Sequence, residues 1–358
     1  MKRILLVLGC MQGALWAQEA GSGFELRATV SASGSYSRLL EGKPRQGEDF
    51  TGGFRSVLYP TWKLSTHWTV SGAIQAYSRP YFYEQFTTQG YGLKADILQA
   101  HVDYSRFWKN RSIVMRVGQL SSAFGSFLLR YDDAENPLIN MPISYGYYYK
   151  PITTLGLMGA QVDATLGKFD ARAQFVNSSP ANRRSIFDHD QYGNWAGGVG
   201  YTIRQGLRVG VSAYRGPYLH RQYAYYFRGE AKPRDLPASG YGMDVQWGHG
   251  HWNIQGELQR FQLAYRLIPT FSEHMGYAEA RRVLNPRLYL AARAAYLRAS
   301  VVPGYEVYEV AAGYRPNRYQ LMKFGYQVQQ GGNYTPSSSS TFTIQLVTAF
   351  RAISIARD

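Results

Sequence analysis

The chain has 358 residues, 45% hydrophobic and 15% aromatic, with 30 tyrosines, 37 glycines and one cysteine; 39 basic and 24 acidic side chains give a formal charge of +15. No stretch approaches the roughly 18 consecutive apolar residues of a transmembrane helix, and no run of Lys and Arg is dense enough to suit a nucleic acid partner. A single Cys excludes an internal disulfide or a Cys-based metal site. The mean hydropathy of −0.33 would suit a soluble protein, except that a membrane strand shows lipid only every second residue and averages to a polar composition.

The chain opens MKRILLVLGCMQGALWAQEA, two cations ahead of an apolar run that ends in small residues. This is the layout of a secretory signal peptide, residues 1–17, with cleavage expected after Ala17. A lipidated Cys10 in VLGC would leave an apolar region of only six residues. Removing residues 1–17 takes away Lys2, Arg3 and the only Cys, which leaves 341 residues (358 − 17) and a charge of +13 (15 − 2). The expected domain organisation is therefore one domain over residues 18–358.

From GFELRATVSASGSYS onward the sequence alternates with a period of two, the mark of strands with unlike faces. In WTVSGAIQAYS, Trp68, Val70, Gly72, Ile74 and Ala76 share one parity, while Thr69, Ser71, Ala73, Gln75 and Tyr77 share the other. Sixteen strands are predicted. The first eight span 23–37, 54–64, 68–78, 96–106, 112–120, 155–166, 169–177 and 195–203. The rest span 207–215, 241–248, 252–261, 275–283, 287–297, 306–315, 319–329 and 341–350. In the last, Phe342, Ile344, Leu346 and Phe350 share a face, and RAISIARD follows.

Short and long connections alternate throughout, with STH (65–67), GK (167–168), RQG (204–206), HGH (249–251), NP (285–286) and PNR (316–318) among the seven short ones. A sandwich or propeller has no reason to keep its short turns on one side. An all-β, transmembrane, antiparallel up-and-down barrel with short periplasmic turns and long outer loops does. Dividing 341 by 16 leaves about 21 residues per strand and connection, enough for a spanning strand of roughly 9 to 11 residues. Ala and Val side chains cannot fill so wide an interior, so the apolar parity is expected to face lipid and the polar parity to enclose water. Trp62, Trp68, Trp108, Trp247 and Trp252 lie in or beside short turns, as an aromatic girdle at one rim would.

The inward parity carries Arg27, Arg55, Arg79, Arg116, Arg172, Arg208, Arg293, Arg315 and Lys323, with the acids Asp103, Asp163, Asp170, Asp244, Glu257, Glu279 and Glu309. These are the candidate pore-lining residues. An excess of guanidinium groups would concentrate anions in a low-dielectric tube. The longest connection, 121–154, is a candidate constriction loop, with Arg130, Asp132, Asp133, Glu135, Tyr147 and Lys150 available to set an acidic edge against the wall arginines.

Tyrosine clusters at 81–86, 145–150 and 223–227 could stack sugars, making a saccharide path an alternative. His101 and Asp103 share a parity but lack a nucleophile motif, so no enzyme is expected; a barrel enzyme acting at the rim and a structural barrel closed by its loops are rivals. DHD (188–190) and HGH (249–251) lack further ligands, so no metal or other cofactor is expected.

MRVGQLSSAFGSF before the long loop and LMKFGYQ in the penultimate strand resemble bacterial outer-membrane porins of the phosphate-selective O/P type and their relatives. In that family the first segment usually reads Val-Gly-x-Phe-x-x-Pro-Phe-Gly; here Leu120 and Ala123 replace the first Phe and the Pro. The resemblance implies a 16-stranded, often homotrimeric diffusion channel in the outer membrane, with lipid and small hydrophilic solutes as partners. It also implies that the loop after the fifth strand folds into the barrel. The lysine-rich phosphate sites of selective members are not recognisable here.

Overall fold

Trp68, Val70 and Ile74 are 48%, 36% and 41% exposed, whereas Ala73, Gln75 and Tyr77 on the other parity are nearly covered. A soluble sheet would hide the first set, so this wall is inside out with respect to one. The computed structural model describes residues 22–37, 50–78, 92–126, 131–145, 155–177, 193–217, 237–264, 269–300, 304–331 and 338–357. The strands begin with β1 (Ser22–Ser37), β2 (Phe50–Lys63), β3 (Trp68–Ser78), β4 (Leu93–Trp108) and β5 (Arg111–Ser121). There follow β6 (Leu155–Leu166), β7 (Phe169–Val176), β8 (Asn194–Arg204), β9 (Leu207–Pro217), β10 (Pro237–His249) and β11 (Trp252–Leu263). The ring ends with β12 (Phe271–Asn285), β13 (Leu288–Ala299), β14 (Tyr305–Tyr314), β15 (Gln320–Gly331) and β16 (Ser338–Arg357). Each pairs antiparallel with its chain neighbour, and β1 pairs with β16 to close the barrel. Closure removes the unpaired edge that hydrocarbon could not satisfy.

Three of the short turns reverse at Gly167 (φ 60), Gly206 (φ 84) and Gly250 (φ 57), where a Cβ would be strained. The last strand differs from the expected 341–350. It continues to Arg357 because β1 still offers partners, from Arg27 with Arg351 to Ser22 with Arg357. Leu26 pairs with Ile353 and Arg27 with Arg351, which leaves Ala352 as an extra residue. That β-bulge reverses the parity, so Ile353 and Ile355 stay outward beside Phe350, at 44%, 58% and 41% exposed. A similar shift leaves Leu98 unmatched between Ile97 and Gln99 on β4 and turns it inward, where it is buried with Val57 and Ala73.

The interior departs from the expected water-filled lumen over part of its wall. Inward residues of β9 to β13, among them Tyr214, Phe261, Phe271, Met275 and Leu297, pack with Phe124 from the segment after β5. Tyr289, Ala291, Ala311, Leu321 and Val347 pack with Leu138 from the same segment. One side of the barrel is therefore dry, because protein and not solvent covers it.

Candidate functional site

The covering element is the connection between β5 and β6, described over 122–126 and 131–145. Its path is set locally. Gly125 takes φ 78, and Asp132 folds the next stretch by accepting hydrogen bonds from the backbone N–H of Ala134 at its carboxylate (2.7 Å) and of Glu135 and Asn136 at its carbonyl (3.0 Å each). Pro137 and Pro142 then keep the chain from pairing as a strand.

The segment is held around the inner wall. Gln174 of β7 accepts from Ala123 N (3.1 Å) and donates to Ser121 O (2.7 Å), and Ser212 Oγ of β9 accepts from Gly125 N (3.3 Å). Glu257 of β11 accepts from the Tyr145 hydroxyl (2.5 Å) and Ser126 Oγ (3.1 Å). On β1 and β2, Ser31 donates to Asp133 (2.7 Å), Arg55 lies 3.4 Å from Asp133, and Tyr59 donates to Asp132. A segment bonded to strands so far apart on a closed ring lies inside it.

The clamp on β12 to β15 is ionic. Arg293 donates to Glu279 (2.6 and 2.9 Å), approaches Glu309 (3.4 Å), and donates to Asn140 O (2.7 Å) and Asn136 Oδ1 (3.2 Å). Glu309 in turn accepts from Ile139 N and Asn140 N, both at 3.1 Å. Lys323, fully covered, donates to the carbonyls of Asp133 (2.6 Å) and Leu138 (3.0 Å). Charges removed from water are tolerable only with every donor and acceptor engaged, so wall and loop stand or fall as a set.

This corrects the expected lining. Arg55, Arg293, Lys323, Glu257, Glu279 and Glu309 point inward, but each is at most 5% exposed; they fasten the loop and do not face solvent. Asp132 and Asp133, expected to oppose the wall across a passage, are bonded directly to Tyr59, Ser31 and Arg55. Of the loop acids only Glu135 is exposed. Arg79, Arg130, Tyr147 and Lys150 lie outside the described residues, as do the tyrosine clusters 81–86 and 223–227, the signal segment 1–17 and, apart from Tyr145, the cluster 145–150.

The other inward charges form a ladder along β4 to β10, an arc that the segment touches at its start, through Gln174 and Ser212. Arg116 stands between Asp103 (3.6 Å) and Asp163, to which it is hydrogen-bonded. Arg172 is the register partner of Asp163. Arg208 donates to both oxygens of Asp170 (2.6 and 2.8 Å) and to Asp244 (2.6 Å). Side chains of Arg116, Asp163, Arg208 and Asp170 keep 24% to 32% of their surface accessible, which distinguishes them from the clamp. Arg27 lies toward the short-turn end, 3.9 Å from Glu25, and Arg315 one residue past β14. His101 Nδ1 is 2.7 Å from Asp103, and Ser71 Oγ donates to Asp103 at 3.1 Å. The carboxylate, not the imidazole, is in the middle, the wrong order for a Ser-His-Asp relay.

Sequence reasoning missed Ser31, Tyr59, Asn136, Asn140, Gln174, Ser212 and Tyr289. Their only signal was polarity on an inward parity or within the long loop. Outside the wall, Trp62, Trp68, Trp108 and Trp252 are 42% to 49% exposed at the short-turn end, and Trp247, less exposed, stacks on His249.

No protein-family model and no curated protein sequence matches the chain. Solved structures do. An anion-selective porin from Comamonas acidovorans superposes with a TM-score of 0.63 at 11% identity, covering 92% of this chain and 100% of that one. OmpT of Vibrio cholerae, an outer membrane protein folded in vitro, gives 0.62 at 10% identity, covering 91% and 97%. OmpF of Salmonella typhi, in complex with daunomycin, gives 0.60 at 8% identity, covering 92% and 98%. The fold is that of outer-membrane porins. At these identities it carries over the architecture and not a solute.

Proposed function

We propose that this chain is a bacterial outer-membrane porin, a channel through which small hydrophilic solutes diffuse. The observation that carries the reading is the divided interior. A bonded loop occupies one side of a sixteen-strand barrel, and a partly accessible charged wall faces it from β4 to β10. A barrel of this strand number leaves room for water where side chains and loops do not fill it. The apolar outer face supports insertion in lipid.

The finer readings belong to the same proposal: export by removal of residues 1–17, assembly as a homotrimer, a form described for OmpT of Vibrio cholerae, and kinship with the O/P-type porins. No catalysis is proposed. A weak anion bias is assigned to Arg172 and Arg315, which form no salt bridge among the described residues. Arg116 and Arg208, each flanked by two carboxylates, contribute little to it.

Planar bilayers with a KCl gradient test both statements. Steady single-channel current with a small reversal potential of anion sign is expected, moving toward cation preference in R172Q/R315Q. A purified, folded barrel that passes no steady current would leave a closed structural barrel; an unchanged reversal potential in the variant would remove the assigned source of the bias.

A further inference from the structure

The seven short turns contain no Asp or Glu, whereas five of the eight long connections mix both signs. Around these turns stand exposed cations: Arg106, Lys109 and Arg111 at the end of β4 and start of β5, Arg282 and Arg287 at the β12–β13 end, and Arg318 before β15. None of the six has a carboxylate partner among the described residues.

Their placement is tied to the tryptophan rim. Arg106 lies with Cζ 5.1 Å from the centre of the Trp108 ring, and Arg282 lies 5.2 Å from that of Trp252. Both pairs project outward, on the parity that carries Val102, Ile254 and Leu284 toward lipid. Arg318 is likewise 4.6 Å from the ring of Tyr319. An indole settles at the boundary between hydrocarbon and headgroups, so a guanidinium stacked on it is held at the depth of lipid phosphates. A cation there, with no acid nearby, keeps guanidinium donors for a phosphate even where, as at Arg318, one N–H is given to the Tyr319 hydroxyl, and guanidinium matches phosphate geometry with two parallel hydrogen bonds.

We infer that the short-turn rim is a binding surface for the phosphate headgroups of anionic phospholipids in the leaflet that surrounds it. The surface lies outside the channel and is independent of what passes through; it rests only on the barrel being inserted in a membrane. Free phosphate would lack the apolar contact with the Trp rings, so the lipid, and not the ion alone, is the ligand.

The test uses the whole chain in a Trp195→Phe background, which leaves only short-turn tryptophans in the barrel. Tryptophan quenching is measured in vesicles holding brominated phosphatidylglycerol or brominated phosphatidylcholine. A preference for phosphatidylglycerol of roughly three- to tenfold is expected, falling as salt rises from 50 to 500 mM. It should be lost in R106Q/R111Q/R282Q and largely kept in R106K/R111K/R282K. Equal quenching by the two lipids, or an undiminished preference in the Gln variant, overturns the inference. Should the Gln variant fail to fold, a preference insensitive to salt overturns it. Channel current measured on the same preparations separates this outcome from failure of the porin reading.

Discussion

At Gly200 on β8 a Cβ would stand 2.5 Å from Cζ of Arg208 and 2.5 Å from Oδ2 of Asp170. The missing side chain is what lets an arginine on β9 reach across β8 to an aspartate on β7. Gly125 is bound twice over. It sits at φ 78, and a Cβ there would lie 2.6 Å from Glu257 Oε1 and 3.1 Å from Tyr145 Cζ. Gly125→Ala is therefore expected to weaken attachment of the loop by about 1–3 kcal/mol without preventing barrel closure. Limited trypsin digestion should then cut the folded barrel after Arg130 many times faster than in the parent. Equal cleavage rates would show that Gly125 does not hold the loop. GGVGY reads in the sequence as strand alone, whereas SSAFGSF lies in the stretch that carries the porin resemblance.

The loop and the last strand act as elements through residues far from them in sequence. Arg293→Met would strand Glu279 and Glu309 in a dry wall, a loss on the order of 3–5 kcal/mol. The channel should respond with larger and noisier single-channel conductance as the loop detaches. R293M/E279Q/E309Q, which also removes the stranded charges, should regain about half of that stability in urea unfolding monitored by tryptophan fluorescence. No recovery would argue that the ion cluster is not what fastens the loop. In β16 the counterpart is Ala352. Deleting it would restore regular alternation, with Phe350, Ile353 and Ile355 all outward and the pairing of Ile353 with Leu26 unchanged. Heat-modifiability on electrophoresis should then show the same conversion temperature as in an A352S control; a lower temperature in the deletion would mean that the bulge itself supports closure.

For the whole molecule, the decisive property is which face of the wall meets hydrocarbon. Ile74→Arg places a charge outward near the middle of β3 and should cost roughly 2–4 kcal/mol in vesicles. Ser71→Arg, on the inward parity beside Asp103, should change stability by less than about 1 kcal/mol. Urea titration of the two variants checks this, and equal losses would contradict a lipid-facing apolar parity. Strand number, order and facing were legible in the amino-acid sequence because the alternation that encodes them is local: each strand meets different surroundings on its two sides, and WTVSGAIQAYS states that without help from any other segment. Which inward charges meet water was not legible. Lys323 and Arg293 on one arc look in sequence like Arg116 and Arg208 on the other. They differ only in that a loop lands on the first pair, through contacts such as Lys323 with Asp133, 190 residues apart. The extension of β16 past Phe350 likewise needed β1, more than 300 residues away, to offer partners. Periodicity determined the barrel because it is a property of neighbours along the chain; the divided interior was decided by the tertiary structure, because covering a charge depends on what the folded chain brings to it.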